Sequence, residues 1–154
     1  MSGALHIRVA SLAERDALRA LQTRASLRNV GDRDALLQHP DAIDVPPEQI
    51  LARQVFVAER DGVVVGFAAV VPREDGDAEL DALFVEPALW RQGIARALLE
   101  HGVALARMQG AKALHVIGNP HAAAFYRGCG FVGEGTFKTR FGQGYLMRRD
   151  ISAA

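Results

Sequence analysis

The chain has 154 residues, 49% of them hydrophobic and 23% charged, and its 18 basic and 18 acidic side chains cancel to a formal net charge of zero at pH 7. That length predicts a single domain over residues 1–154, long enough to bury a real core and too short for two domains of ordinary size. Neutrality excludes DNA, RNA or an anionic membrane as the main partner, because each needs an excess of positive charge gathered on one face.

Cys129 is the only cysteine, so no intramolecular disulfide can form, which fits a reducing cytoplasm. The residue reads as a small side chain in a packed turn rather than a nucleophile. His6, His39, His101, His115 and His121 are scattered with no close pair, and no metal site is expected. The longest apolar run, "VVVGFAAVV" at 63–71, is about half the length of a membrane helix and reads as a buried strand. His6, Arg8 and Arg15 interrupt the N-terminal apolar residues, so no secretory signal is read there and a cytoplasmic protein is expected.

In chain order, "LHIRVA" at 5–10 alternates as a short strand, and Ser11 with Glu14 has the spacing of a capping box before a helix whose Leu18, Leu21 and Ala25 share a face. Residues 31–50 are less regular: a short helix stopped by Pro40, a break at "DAIDVPP", and a new turn opened by Pro47. Asp61-Gly62 between two β-rich runs predicts a tight hairpin, and "AELDALFV" at 78–85 supplies a third antiparallel neighbour. A helix over about 93–109 follows, with Ile94, Leu98, Val103 and Leu105 placed to pack on a sheet and Gly110 to end it. "ALHVIG" at 113–118 then completes a right-handed crossover with two parallel strands. Asn119-Pro120 opens a short helix that Gly128 and Gly130 close, and "FVGEGTF" and "YLMRRDI" end the chain as strands. The fold class is α/β (α+β): a mixed, mostly antiparallel sheet of six to seven strands with about four helices.

The stretch "WRQGIAR" at 90–96 sets a glycine between arginines where a turn becomes a helix. Backbone N–H groups without intrahelical partners and the positive end of the helix dipole attract anions there, and glycine lets an anion approach the backbone. The nucleoside-triphosphate loop fails, because Ile94 and Ala95 stand where Lys and Ser/Thr are needed, and no three-glycine dinucleotide fingerprint follows the first strand.

With "NPHAAAFYRGCGF" following the crossover strand, the chain resembles the GNAT superfamily of N-acetyltransferases over nearly its whole length. Family members bind the diphosphate of acetyl-coenzyme A through a turn of the form Gln/Arg-x-x-Gly-x-Gly/Ala, a register that falls here on Trp90-Arg91-Gln92-Gly93-Ile94-Ala95. Gly93 and Ala95 match, while Trp90 departs from the usual Gln or Arg. The resemblance implies a cofactor site of Arg91, Gln92, Gly93, Ile94, Ala95 and Arg96, with Leu83, Phe84 and Val85 offering backbone to the pantetheine arm and Asn119 and Tyr126 standing beside the thioester.

It also implies direct transfer, in which an amine attacks the acetyl thioester and coenzyme A leaves as thiolate. A lysine amine has a pKa of about 10.4 and an α-amine about 7.7 to 8.0, so a proton acceptor is required. Glu79 is the first candidate for that base, with Asp81 two residues on along the same strand face and His121 as a third. Tyr126 is the implied proton donor to the thiolate, and backbone N–H groups at 83–85 the oxyanion donors. The alternative reading is a non-catalytic acyl-coenzyme A sensor, to which Trp90 in its unusual place points. A partner-binding module using a sheet edge is the third, and it predicts indifference to coenzyme A.

In the family, acceptor specificity resides largely in the segments that correspond here to 28–50 and 133–145. The first holds Asp32, Asp34, Asp41, Asp44 and Glu48, either an attraction for a cationic amine or a solvated loop. The resemblance further implies a homodimer through the final strands.

Overall fold

The apolar runs on either side of Asp61-Gly62 pair antiparallel, as that turn predicts. A computed structural model describes residues 3–28, 30–39, 41, 43–139 and 142–152. The strands are β1 (His6–Val9), β2 (Val55–Arg60), β3 (Val63–Pro72), β4 (Ala78–Val85), β5 (Ala113–Gly118), β6 (Val132–Thr139) and β7 (Gly142–Asp150). The helices are α1 (Arg15–Arg28), α2 (Val30–Gln38), α3 (Pro47–Leu51), α4 (Ile94–Met108) and α5 (Ala123–Gly128). The seven strands form a mixed sheet in the order β1-β2-β3-β4-β5-β7-β6.

Among the described residues five helices stand where about four were expected, because the turn opened by Pro47 closes as a helix of its own. Ser11 and Glu14 meet, the Glu14 carboxylate accepting from the Ser11 N–H at 2.9 Å, but the first turn is 3-10 before α1 begins. Pro40, expected to stop α2, lies outside the described residues, and the helix ends at Gln38. Ile94, Leu98 and Val103 are buried as expected, but Leu105 is only half-buried and the adjacent Ala106 takes its place in the stripe, beside Leu99. The two final strands begin and end at other residues than expected, and Phe131 precedes β6 as a buried turn residue.

The chain divides into two units, Met1–Ala69 with Ala82–His101, and Val70–Asp81 with Gly102–Ala154. In the first, β1 and β2 are antiparallel, with Val9 opposite Phe56, and β2 pairs β3 antiparallel across the Asp61-Gly62 turn, whose φ values are 53° and 78°. Both central residues thus adopt the left-handed conformation that two-residue hairpins demand. Leu18 and Leu21 of α1, Val45, Ile50 of α3, Val55 and Val57 of β2, and Phe67 and Ala69 of β3 close one core, against which Ala82 and Phe84 also pack. Arg8 ties β1 to the chain around it, donating to both Glu14 oxygens at 2.9 and 2.8 Å and to Glu59 at 3.2 Å. The paired guanidinium holds the Glu14 carboxyl down to about 2.

In the second unit β4 and β5 are parallel, with Ala78 opposite Leu114 and Glu79 opposite His115. β5 pairs β7 and β7 pairs β6, both antiparallel. Leu114 and Val116 of β5, Tyr126 of α5, Phe131, Met147 of β7 and Ile151 are buried.

Gly66 of β3 is the tightest backbone approach near the segment of interest. A Cβ there would lie 3.0 Å from both the Phe84 carbonyl oxygen and Leu98 Cδ1 and 3.4 Å from Ile94 Cγ2. The start of α4 therefore rests directly on β3 main chain. Gly66→Ala is expected to lower stability by about 1–3 kcal/mol, the usual cost of overpacking, read from the midpoint of urea denaturation. An unchanged midpoint would contradict this packing.

Candidate active site

The first unit carries the glycine turn. Between β4 and α4 a 3-10 turn at Pro87–Leu89 leads into an extended Trp90, then Arg91 at φ 67° and Gly93 at φ 84°. Left-handed backbone is unusual for arginine, and two such residues flanking Gln92 turn the chain sharply into the helix. The Gly93 carbonyl accepts the first intrahelical bond, from Ala97 N–H at 3.0 Å, which makes Gly93 the N-cap of α4. Being glycine, it has no side-chain oxygen with which to cap the helix, and the first turn holds no acid. The N–H groups of Ile94 and Ala95 are therefore not bonded within the helix, and the helix dipole adds partial positive charge beside them. A Cβ at Gly93 would meet nothing within 4 Å, so the approach to these amides is open.

Arg91 and Gln92 are exposed. Gln92 is held from outside the loop, its Oε1 accepting from Arg60 Nη1 at 3.2 Å. Arg60 closes β2, so a second guanidinium stands beside the turn. Sequence reasoning missed it, since no local pattern links positions 32 residues apart.

The strand before the turn presents its backbone selectively. Glu86 N–H donates to Val65 O at 2.8 Å, and the Phe84 carbonyl faces Gly66, so the even-numbered residues turn their peptide groups toward β3. By strand alternation Leu83 and Val85 turn theirs to the opposite edge. Of the three residues expected to offer backbone to a pantetheine arm, Phe84 is aimed the other way, its ring 5.5 Å from that of Phe67 in the core. The Val85 carbonyl accepts from the Trp90 indole, Nε1 to O 2.9 Å.

The second unit carries the titratable candidates. Asn119 Oδ1 accepts from Ala122 N–H at 2.8 Å, while the Asn119 carbonyl accepts from Ala122 and Ala123 N–H at 3.1 and 3.2 Å. Asn119 caps a turn as its side-chain chemistry predicts, but regular helix begins only at Ala123, because Pro120 and His121 stay in that turn. Tyr126 is 8% exposed, its ring set edge-on against Phe125 at 5.3 Å and Phe131 at 5.5 Å, and a Cβ at Gly118 would lie 3.2 Å from it. Burial pushes its hydroxyl pKa upward, and the neighbouring Cys129 adds to the shift, so the phenol stays protonated at neutral pH. Cys129 is buried, as a small packed residue should be. His121 is exposed.

Glu79 is half-buried on β4, opposite His115. Burial raises its pKa first and the charge of Asp81 second, while Arg73 and His115 pull it back. His115 Nε2 lies 3.0 Å from Asp77 Oδ2, and Nδ1 3.6 Å from Glu134. Ligand atoms of Asp75, Asp77 and His115 fall within 4.8 Å of one another, a grouping invisible in the linear spacing of the histidines. The two carboxylates also accept from the protein: Arg73 reaches Asp75 at 3.1 Å, and Lys112 and Ala113 N–H reach Asp77 at 3.3 and 3.2 Å. No helix among the described residues is long and apolar enough to cross a membrane.

These arrangements accord with known proteins. Residues 16–131 match the model of the acetyltransferase (GNAT) family. An uncharacterised N-acetyltransferase of Mycobacterium tuberculosis is 32% identical over 106 residues, covering 64% of this chain and 68% of the relative. The PaiA N-acetyltransferase of Thermoplasma acidophilum, solved in complex with coenzyme A, superposes with a TM-score of 0.78 at 17% identity over 96% of this chain and 99% of that one. A ribosomal-protein-alanine N-acetyltransferase of Brucella melitensis gives 0.68 at 27% identity over 94% and 99%. The chain belongs to the acetyltransferase (GNAT) family and is an acetyl-coenzyme A dependent N-acetyltransferase.

Proposed function

We propose that residues 1–154 act as one domain in which the diphosphate of acetyl-coenzyme A is held by the amides at the start of α4 while a primary amine is acetylated. The observation that carries this reading is the Gly93 N-cap at φ 84°, with no acid in the first turn of α4. Arg91 and Arg96 add charge from the flanks. The outward peptide groups of Leu83 and Val85 pair with the pantetheine amides as a further strand would, and one of their N–H groups supports the oxyanion.

In this mechanism the neutral amine forms a bond to the thioester carbon, and a tetrahedral oxyanion results. Glu79 accepts the proton released from the amine, directly or through water, the role for which its raised pKa suits it. As the oxyanion collapses the C–S bond breaks, and Tyr126 gives its proton to the departing sulfur. A buried phenol that remains protonated is a donor rather than a base, which supports that assignment over the reverse. Asn119, through its turn, holds the start of the segment that carries Tyr126. No metal takes part in the reaction as written. The exposed Asp34, Asp41, Asp44 and Glu48 favour a cationic acceptor. A reducing cytoplasm, which a lone cysteine fits, is the compartment we expect, and pairing through the final strands is the dimer we expect.

A thiol-release screen over small amines, antibiotics, amino acids and peptide N-termini and lysines is expected to find an acceptor. Tyr126→Phe is then expected to lower kcat by about 100-fold while calorimetry finds the acetyl-coenzyme A affinity within twofold of wild type. Affinity without thiol release from any amine would favour the sensor reading instead.

Because the base must be deprotonated, kcat/KM should fall as pH drops through the Glu79 pKa, which lies above the ordinary carboxylate value. Glu79→Gln is expected to abolish that acid limb and about 100-fold of activity. Retention of both would move the role to Asp81 or His121.

A further inference from the structure

We propose that Trp90 is a positioning residue that fixes the distance between the strand proposed to hold the pantetheine arm and the turn proposed to hold the diphosphate. This rests on the cofactor placement given above and adds a residue to it. Val85 ends β4 and Gly93 caps α4. Eight peptide units join them, and such a link spans up to about 27 Å when extended. A ligand that must engage both ends gains from a second contact only when their separation is set beforehand.

The chain sets it by a series of ties. Glu86 N–H is bound to β3 through Val65 O at 2.8 Å, and the Glu86 carboxylate is bound to Arg24 of α1 at 2.9 and 2.7 Å. Leu89 N–H returns to Glu86 O at 2.9 Å. Trp90 then closes the loop upon its own beginning, its indole N–H donating to the Val85 carbonyl at 2.9 Å. The very next residue is Arg91 at φ 67°, so the left-handed turn starts from a fixed point.

The bonded carbonyl belongs to the edge of β4 that faces away from β3, the edge offered to pantetheine. One lone pair of that oxygen is committed to the indole, which leaves the other, and the Val85 N–H, for the ligand. A glutamine or arginine at position 90 would present a long flexible donor, whereas the indole has two rotatable bonds and a single N–H. The departure from the family pattern is thus compensated by a rigid brace.

The test uses acetyl-coenzyme A, which spans both places, and ADP, which offers a diphosphate without the pantetheine arm. Calorimetry on Trp90→Phe, which keeps a ring and removes the N–H, is expected to show about a tenfold weaker Kd for acetyl-coenzyme A and an ADP affinity within twofold of wild type. KM for acetyl-coenzyme A should rise by the same factor with kcat within twofold. Equal losses for both ligands would mean that the side chain serves the diphosphate itself, and no loss for either would mean that the bond positions nothing; each overturns the proposal. Failure of the wild-type protein to bind acetyl-coenzyme A would instead remove the cofactor reading beneath it, and is seen before any variant is made.

Should Trp90→Phe fail to fold, the wild-type protein still decides. Trp90 is the only tryptophan, so the nitrogen-15 spectrum holds one indole N–H resonance. That proton is expected to exchange slowly in the free protein and more slowly with acetyl-coenzyme A, but not with ADP. Free exchange, or equal slowing by both ligands, would overturn the assignment.

Discussion

The backbone N–H groups at the start of α4 come before the first full turn of their helix, and neither a side-chain cap at Gly93 nor an acid in the first turn is supplied for them. A serine or aspartate at position 93 would cap the helix with a side-chain oxygen, and an acid at 94–96 would neutralise the dipole. The chain has Gly93, Ile94, Ala95 and Arg96 instead. An anion at a helix N-terminus gains about 0.3–1 kcal/mol when exposed and up to about 2 when partly buried, whereas a solvated arginine pair contributes about 0–1. The main chain is therefore the more dependable ligand, and it is indifferent to which side chain stands at position 90. That indifference is why a tryptophan can stand at position 90, where the family pattern described above has Gln or Arg.

Such a cradle is useful only if its position is fixed, and several distant features fix it. Gly66 admits the Phe84 carbonyl and the first turn of α4 so closely that even a methyl group would crowd them. Arg24 fastens Glu86, and the indole of Trp90 fastens the far end of the same short connection. The reactive groups follow a different logic. Tyr126 sits among aromatic rings where its hydroxyl cannot easily ionise, and Glu79 sits where its carboxylate is held back from ionising. Burial moves both pKa values upward, which keeps the phenol protonated as a donor and makes the carboxylate a stronger proton acceptor than an ordinary one.

Much of this was legible in the sequence because it is local. The Asp61-Gly62 hairpin and the glycine entry at 93 each depend on residues within a few positions, and the crossover through α4 on strand signals either side of one helical stretch; each formed where expected. What was misplaced depended on competition. Asn119 did cap a turn, but Pro120 and His121 stayed in it, so the helix opened at Ala123; the asparagine side chain satisfies a turn as readily as a helix. Leu105 lost its place in the stripe to Ala106 because the phase of a 3.6-residue pattern is set by the sheet it meets, not by the helix alone. Arg60 beside Gln92, the Asp75–Asp77–His115 grouping and the Trp90–Val85 bond were invisible, since each needs tertiary placement or an atom-level direction that residue types do not encode. Family resemblance pointed to Leu83, Phe84 and Val85 together; strand alternation separates Phe84 from the other two.

The claim on which the rest stands is that the amides at the start of α4 receive the diphosphate. Backbone nitrogen-15 and amide-proton shifts recorded during saturation with acetyl-coenzyme A test it directly. The largest changes are predicted at residues 93–96, accompanied by slowed amide exchange there. Saturable binding that leaves those four amides unmoved, with the changes gathered elsewhere in the chain, would contradict it.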